Sequence, residues 1–124
     1  MKILDANILI YASQPQFSHL RPLLIEPSCV VSDFTRLEVL GYSGLSESEK
    51  NWFESVFRQI IRIPVTEDIL SQAILLRQAK RMSAGDSIIA ATALIYGFEL
   101  NTRNIRDFSH ITGLALVNPV DKTS

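Results

Sequence analysis

Four acidic residues in this chain of 124 residues adjoin hydrophobic runs. They are Asp5, Glu38, Asp86 and Asp107. A carboxylate is costly to bury unless another group compensates its charge, and carboxylates that converge repel one another. A hard divalent cation with oxygen ligands is the natural compensation. If the fold brings the four acids together, their types and spacing indicate a metal site.

The elements that must position these acids alternate between strands and helices. The predicted strands are 2–4, 29–32, 61–65, 98–101 and 114–117. The predicted helices are 7–12, 18–25, 34–42, 46–60, 66–82 and 87–96, followed by a helical turn at 105–109. This alternation predicts an α/β fold with a mostly parallel sheet. Such folds bind ligands outside the carboxyl ends of the strands, so we expect all four acids to face one crevice.

Local signals support several of these boundaries. Ser46 and Glu49 have the spacing of a capping box, and Gly97 is suited to a left-handed helix end. Either Ser32 or Asp33 is expected to cap the helix that carries Glu38.

The composition indicates one folded domain, residues 1–124. Hydrophobic residues make up 47% of the chain, and the formal net charge is −1, which argues against a strongly basic DNA-binding surface. The single cysteine, Cys29, excludes an internal disulfide and a cysteine-rich metal site. No signal peptide and no apolar stretch of about 20 residues is apparent, so we expect no membrane partner and a cytoplasmic location.

Three motifs, in order, resemble those of PIN-domain ribonucleases. They are residues 1–10 (MKILDANILI), 85–94 (GDSIIAATAL) and 100–108 (LNTRNIRDF), with Asn118-Pro119 soon after. The resemblance covers essentially the whole chain, and its length is typical of the VapC-like toxins of type II toxin–antitoxin pairs. It implies a PIN-like fold, in which a mostly parallel central sheet is flanked by helices.

The resemblance also implies roles for particular residues. Asp5, Glu38, Asp86 and Asp107 would bind Mg²⁺ or Mn²⁺, as one ion or two, with Asn104 the alternative for the fourth position. Asn7, Thr102 and Asn104 match the supporting polar positions. The implied activity is a metal-dependent endoribonuclease, a hydrolase of single-stranded or structured RNA, and the implied partner is a cognate antitoxin.

Other interpretations compete with these roles. Asp5 and Asp86 could each merely cap a helix, and Asp107 could pair with Arg103 or Arg106. An aspartyl-phosphate phosphatase would need a second acid two residues after Asp5, where Asn7 cannot exchange protons. A non-catalytic PIN-like module that binds RNA or protein is the third alternative.

Two surfaces are predicted to contact partners. Five basic residues could contact RNA phosphates: Arg77, Lys80, Arg81, Arg103 and Arg106. The helices 46–60 and 66–82 carry more bulky apolar residues than a small sheet can cover, so we expect a homodimer. The candidate interface residues are Trp52, Phe53, Phe57 and Leu76.

Overall fold

Five parallel strands form the centre of the computed structural model, which describes residues 1–121. The strands are β1 (Lys2–Leu4), β2 (Cys29–Ser32), β3 (Ile61–Ile63), β4 (Glu99–Asn101) and β5 (Leu116–Val117). Their spatial order is β3-β2-β1-β4-β5, and every neighbouring pair is parallel. The predicted α/β class with a parallel central sheet is confirmed.

Helices cover both faces of this sheet. They are α1 (Ala6–Ala12), α2 (Asp33–Leu40), α3 (Glu47–Gln59), α4 (Glu67–Ala79), α5 (Ala84–Tyr96) and α6 (Ile105–Phe108). The segment predicted as a helix at 18–25 is instead a 3-10 helix, Pro15–Leu24, with a kink at Phe17. Pro22 lies inside it, and proline cannot donate the backbone hydrogen bond of a regular helix. No helix within residues 1–121 is long and apolar enough to cross a membrane.

The core lies on the two sides of the sheet because successive strand residues point to opposite faces. Leu4 and Val31 pack with α1, α3 and the 3-10 helix on one side. Ile3 and Val30 pack with α5 on the other. Helix α5 is apolar almost all round because α4 covers a second side of it, where Ala91 is fully buried.

Two of the residues predicted to form a dimer interface lie in this core, so the assignment of Phe53 and Phe57 is wrong. Phe53 and Phe57 are buried, with 2% and 3% of their surface exposed. Trp52 and Leu76 are half-buried and pack against the apolar clusters. The apolar stripe of α3 faces the sheet, and the exposed apolar residues of this pair of helices lie on α4 instead.

The helix ends follow the local sequence signals. The Ser46 hydroxyl accepts from the Glu49 N–H at 3.1 Å, and the Glu49 carboxylate accepts from the Ser46 N–H at 3.0 Å. Gly97 ends α5 with a φ of 69°, which suits glycine because it has no Cβ. Ser32, rather than Asp33, caps α2.

The order of the strands reverses between β1 and β4. The chain runs from β1 outward through β2 to β3, and returns to the other side of β1 as β4. The ends of β1 and β4 are joined by a hydrogen bond from the Asp5 N–H to the Asn101 carbonyl, 2.9 Å long. Crevices at such a switch point are where open α/β sheets bind ligands.

Candidate functional site

Asp5 stands at the switch point, directly after β1, and it caps α1. Its Oδ1 accepts the Ala6 N–H at 2.8 Å, while its Oδ2 accepts the Thr102 hydroxyl at 2.8 Å and the Asn7 amide at 3.2 Å. The residue is only 9% exposed. The capping interpretation is therefore correct in part, because the same carboxyl group caps the helix and is fixed at the crevice.

Polar side chains from both ends of the chain hold Asp5 in place. Thr102, fully buried after β4, accepts the Asn104 N–H at 3.0 Å and the Asn7 amide at 3.3 Å. Asn7 in turn accepts the Arg103 N–H at 3.4 Å. The structure thus brings the three predicted supporting residues together, and the Asn7 amide serves as a bridge between the first and last motifs.

Glu38 reaches the crevice from α2, where α5 passes close to it. A methyl group at Gly85 would overlap the Glu38 carboxylate. Glycine at this position therefore allows the Glu38 carboxylate to lie against the first turn of α5. The sequence shows a glycine directly before Asp86, but it does not show that the Glu38 carboxylate lies against that glycine.

Asp86 lies in the first turn of α5 and does not cap the helix. The cap is Ser83, whose hydroxyl accepts the Asp86 N–H at 3.1 Å. The interpretation of Asp86 as a helix cap is therefore wrong. Its half-buried carboxyl group lines a cavity that it shares with Asp107.

Burial and neighbouring carboxylates raise the pKa values of Asp5, Glu38 and Asp86. Burial raises the pKa of Asp5 above its usual range, and the charges of Asp86 and Asp107 add to this rise against the lowering effect of the Thr102 hydrogen bond. Burial and the Asp107 charge raise the pKa of Asp86. Burial, with the charges of Asp5 and Asp86, raises the pKa of Glu38 to about 7. The structure therefore places all four predicted acids in one electrostatic group.

The chemistry of this donor set fits a hydrated divalent ion. Among the residues described, no three His, Cys, Asp or Glu side chains stand ready as ligands of one metal ion. Mg²⁺ rarely needs such a cage, since it keeps several waters and is commonly held by one or two carboxylates. Burial is the main cause of the raised pKa values of Asp5 and Asp86, and the charges of neighbouring carboxylates add to it. A cation would stabilise the charged forms of both groups.

A cavity of about 680 Å³ opens beside Asp86 and Asp107. Its other polar lining residues are Ser83 and four basic residues: Arg77, Lys80, Arg81 and Arg106. All four basic residues are among the predicted RNA contacts. The loop between α4 and α5 brings Lys80 and Arg81 to the same cavity.

Arg103, the remaining residue predicted to contact RNA, lies outside this cavity and contacts other groups. Its guanidinium lies 4.8 Å from the centre of the Tyr11 ring and 5.9 Å from that of Phe17. It also forms an ion pair with Asp121 at 3.3 Å. Among the described side chains, Asp107 pairs with neither Arg103 nor Arg106. Sequence periodicity gave no sign of this cluster, because its members come from distant parts of the chain.

The fold and the motifs can be compared with known proteins. The model of the PIN domain matches residues 2–114. A toxin–antitoxin complex from Klebsiella pneumoniae is similar, with a TM-score of 0.78 and 28% identity over 96% of this chain and 98% of that chain. The VapBC-1 complex from nontypeable Haemophilus influenzae has a TM-score of 0.72 and 26% identity, over 94% and 96% of the two chains.

A third structure supports the fold alone, because its identity is only 20%. It is VapBC2 from Rickettsia felis bound to a DNA fragment from its promoter, with a TM-score of 0.74 over 94% of this chain and 97% of that chain. No curated protein matches the sequence. The match of the family model covers most of the chain, and on this ground the chain belongs to the PIN domain family.

Proposed function

We propose that this protein is an endoribonuclease that cleaves single-stranded or structured RNA with the help of Mg²⁺ or Mn²⁺. The observation that carries the proposal is the set of carboxyl groups at the switch point of the sheet, where the charges of Asp86 and Asp107 act on Asp5 and those of Asp5 and Asp86 act on Glu38. Membership of the PIN domain family supports it. A cation would stabilise these partly buried carboxylates, and at this place it would lie beside an open cavity with a basic rim.

In this proposal Asp5 and Asp86 hold the ion, and Glu38 and Asp107 contribute directly or through water. A bound divalent ion would lower the pKa of a water molecule and polarise a phosphodiester oxygen. The protein's own part is orientation. Thr102 and Asn7 fix one oxygen of Asp5 by two hydrogen bonds, so this carboxylate keeps one position while substrate binds.

Glu38 is proposed to orient the attacking water. Its carboxylate lies against Gly85, at the start of the helix that carries Asp86. A carboxylate oxygen there can accept a hydrogen bond from a water molecule near Asp86. Asp107 is exposed at the rim of the cavity. It is proposed to add a negative charge that attracts the ion from the side of Asp86 that faces the cavity.

We further propose that the nuclease is a toxin held by a cognate antitoxin. The Klebsiella pneumoniae structure, at 28% identity, is described as a toxin–antitoxin complex, and the Haemophilus influenzae structure, at 26% identity, as VapBC-1. A homodimer is proposed as well, through the exposed face of α4. Leu70, Ile74 and Leu75 on that face are 49%, 51% and 59% exposed.

The decisive experiment is cleavage of a mixture of single-stranded and hairpin RNAs by the purified protein. We expect products with Mg²⁺ or Mn²⁺ and none with excess EDTA. An Asp86→Asn protein, purified in the same way, controls for contaminating nucleases. Undiminished cleavage in EDTA, or equal cleavage by the Asp86→Asn protein, would contradict the proposal.

A further inference from the structure

We propose that the RNA strand runs from the acidic residues into the cavity beside Asp86, where Lys80, Arg81 and Arg106 bind the phosphate next to the cleaved one. This inference rests on the proposed function and adds a direction for the strand. Three observations support it: which basic residues already form ion pairs with acids, the shape of the cavity, and the chemistry of the residues that line it.

Three arginines on the other sides of the site are paired with acids. On the α2 side, the Asp33 carboxylate forms ion pairs with Arg36, at an N–O distance of 2.9 Å, and with Arg62, at 3.8 Å. On the α1 side, the Asp121 carboxylate forms an ion pair with Arg103 at 3.3 Å. The carboxylate partner partly neutralises the charge of such an arginine. The ion pair would have to break before the arginine could bind a phosphate.

The cavity beside Asp86 differs in this respect. Within residues 1–121, none of its four basic side chains forms an ion pair. Two carboxyl groups, those of Asp86 and Asp107, share the lining with these four cations. A cation held by the acids would make this region more positive still, and a polyanion is the ligand that compensates it.

The loop that carries two of these cations is fixed to the core. The Arg77 Nε donates to the Met82 carbonyl at 3.1 Å, and the Met82 side chain is buried in the apolar cluster beneath α5. Arg77 therefore shapes the loop, while Lys80 and Arg81 remain exposed. A fixed loop needs little ordering when a ligand binds.

Phosphate is the chemical class that this lining recognises best. The planar guanidinium groups of Arg81 and Arg106 can each donate two parallel hydrogen bonds to phosphate oxygens. The cavity volume of about 680 Å³ lies within the range of pockets that hold small ligands. A phosphate in it would lie beside, and not on, the carboxylates of Asp86 and Asp107, which repel it.

The test is the salt dependence of RNA binding, measured separately from cleavage. A short fluorescein-labelled single-stranded RNA is titrated with the protein in EDTA at several salt concentrations, and its fluorescence anisotropy gives Kd. We expect Arg81→Gln and Arg106→Gln each to weaken binding at every sequence tested. Each should reduce the slope of log Kd against log salt by about 0.7, the value for one lost phosphate contact with a single strand.

Arg58→Gln is the matched control. Arg58 is exposed on α3, outside the cavity, and its substitution removes the same charge. We expect this variant to keep the wild-type affinity and slope. Equal slopes for the wild type and the two cavity variants would overturn the inference, and so would an equal loss in the Arg58→Gln protein.

The results also separate this inference from the proposed function. Metal-dependent cleavage with unchanged slopes in the cavity variants would overturn only the path of the strand. Cavity-dependent binding without any cleavage would support the RNA site and overturn the nuclease. If the same variants lose binding to poly-glutamate while RNA binding is unchanged, the cavity is a protein-binding site and the inference is wrong.

Discussion

At the scale of single residues, Asp5 shows two opposing effects on one carboxyl group. The hydrogen bonds from Thr102 and the Ala6 N–H stabilise its charged form, whereas burial and the charges of Asp86 and Asp107 oppose it. Its pKa is raised, so burial and repulsion prevail over the hydrogen bonds. The position is therefore electrostatically unfavourable in the absence of a cation, and its substitution should reveal this.

We predict that Asp86→Asn abolishes cleavage and stabilises the metal-free protein. The substitution removes a charge that repels Asp5 and Glu38 and leaves the Ser83 cap intact, because the cap binds the backbone N–H. A gain of about 1 kcal/mol would raise Tm by roughly 4 °C. Thermal melting in EDTA beside the cleavage assay measures both effects.

Asp5→Asn should also abolish cleavage, with little or no gain in Tm. Its Oδ2 accepts two hydrogen bonds, from Thr102 and Asn7, and an amide nitrogen there could accept neither. A large drop in Tm for both variants would show that the two acids are structural, which is the opposite of what we expect.

We predict that the metal-free protein loses stability as the pH rises from about 5 to 8, and that Glu38 is a main cause. The pKa of Glu38 in the folded protein, about 7, exceeds its usual value of 4.5. The stabilising effect of protonation is thus fully present below pH 4.5, and it is lost as the pH rises through about 7. Because the Glu38 carboxyl group is only partly buried, solvent screening reduces the effect.

The measurement is urea unfolding in EDTA at pH 5, 6, 7 and 8. The Glu38→Gln protein should show a smaller fall in the free energy of unfolding than the wild type. Glu54→Gln removes a carboxylate from α3 and serves as the control, with the wild-type slope. A Glu38→Gln protein whose stability falls as steeply with pH as that of the wild type would disprove the prediction.

At the scale of elements, the site depends on how closely α2 approaches α5. Glu38 and Asp86 lie on different helices, and Gly85 allows the carboxylate of Glu38 to lie against the first turn of α5. The flexible end of the Glu38 side chain, and not a backbone atom, is what an added methyl group would meet. Stability and activity should therefore respond differently to a side chain at this position.

We predict that Gly85→Ala keeps the fold and weakens cleavage. Alanine favours a helix over glycine by up to about 1 kcal/mol, which offsets the displacement of the Glu38 carboxylate. A shift of this group by about 1 Å can reduce the rate on the order of 100-fold. Melting curves and cleavage rates give the comparison, and Gly44→Ala, in the loop between α2 and α3, controls for glycine replacement. Full activity of Gly85→Ala would exclude a role for the Glu38 position.

The sequence predicted the type and order of nearly all elements, because their apolar periods and end signals are local. The capping box at Ser46 and the left-handed end at Gly97 were recognised correctly. The 3-10 helix around Pro22 was predicted as a regular helix because its apolar residues have helical spacing. Pro22 and the kink at Phe17 prevent a regular helix there.

Contacts between distant segments could not be predicted, because they have no local pattern. The four acids were recognised by their motifs, but the charges that Asp86 and Asp107 exert on Asp5 follow from the order of the strands. For the same reason, Phe53 and Phe57 were assigned to an interface. Bulky residues on a helix face look alike in sequence whether a sheet or a partner covers them.

At the scale of the whole molecule, the sheet places the active residues and the apolar surface on different elements. The acids gather at the switch point of the sheet, whereas Leu70, Ile74 and Leu75 lie exposed on α4. A second copy could cover α4 without the acids taking part in the contact. This leaves the crevice available to another partner.

We predict that the protein is a dimer at micromolar concentration and that Ile74→Glu makes it a monomer. Ile74, 51% exposed at the middle of α4, would place a charge in an apolar interface, where it would be costly. Light scattering gives the mass of each protein. Ile25→Glu alters a residue that is 73% exposed on another element and should leave the dimer intact. A monomeric wild type would rule the dimer out.

The last prediction concerns how a partner would inhibit the nuclease. An antitoxin that blocks the acidic crevice should insert an Arg or Lys side chain, because a cation from the partner can replace the metal ion among the carboxylates. Lys80, Arg81 and Arg106 would repel that side chain at the cavity, so we expect it to enter beside Glu38. Partner and Mg²⁺ would then compete for Asp5 and Asp86.

The affinity of the antitoxin should therefore fall as Mg²⁺ rises at fixed ionic strength. Calorimetric titration at several Mg²⁺ concentrations measures this, and the Asp86→Asn protein should show a weaker dependence because it binds the ion less well. A titration with NaCl in place of Mg²⁺, at the same ionic strength, controls for general screening of charges by salt. An affinity that does not change with Mg²⁺ would mean that the partner inhibits from outside the acidic crevice.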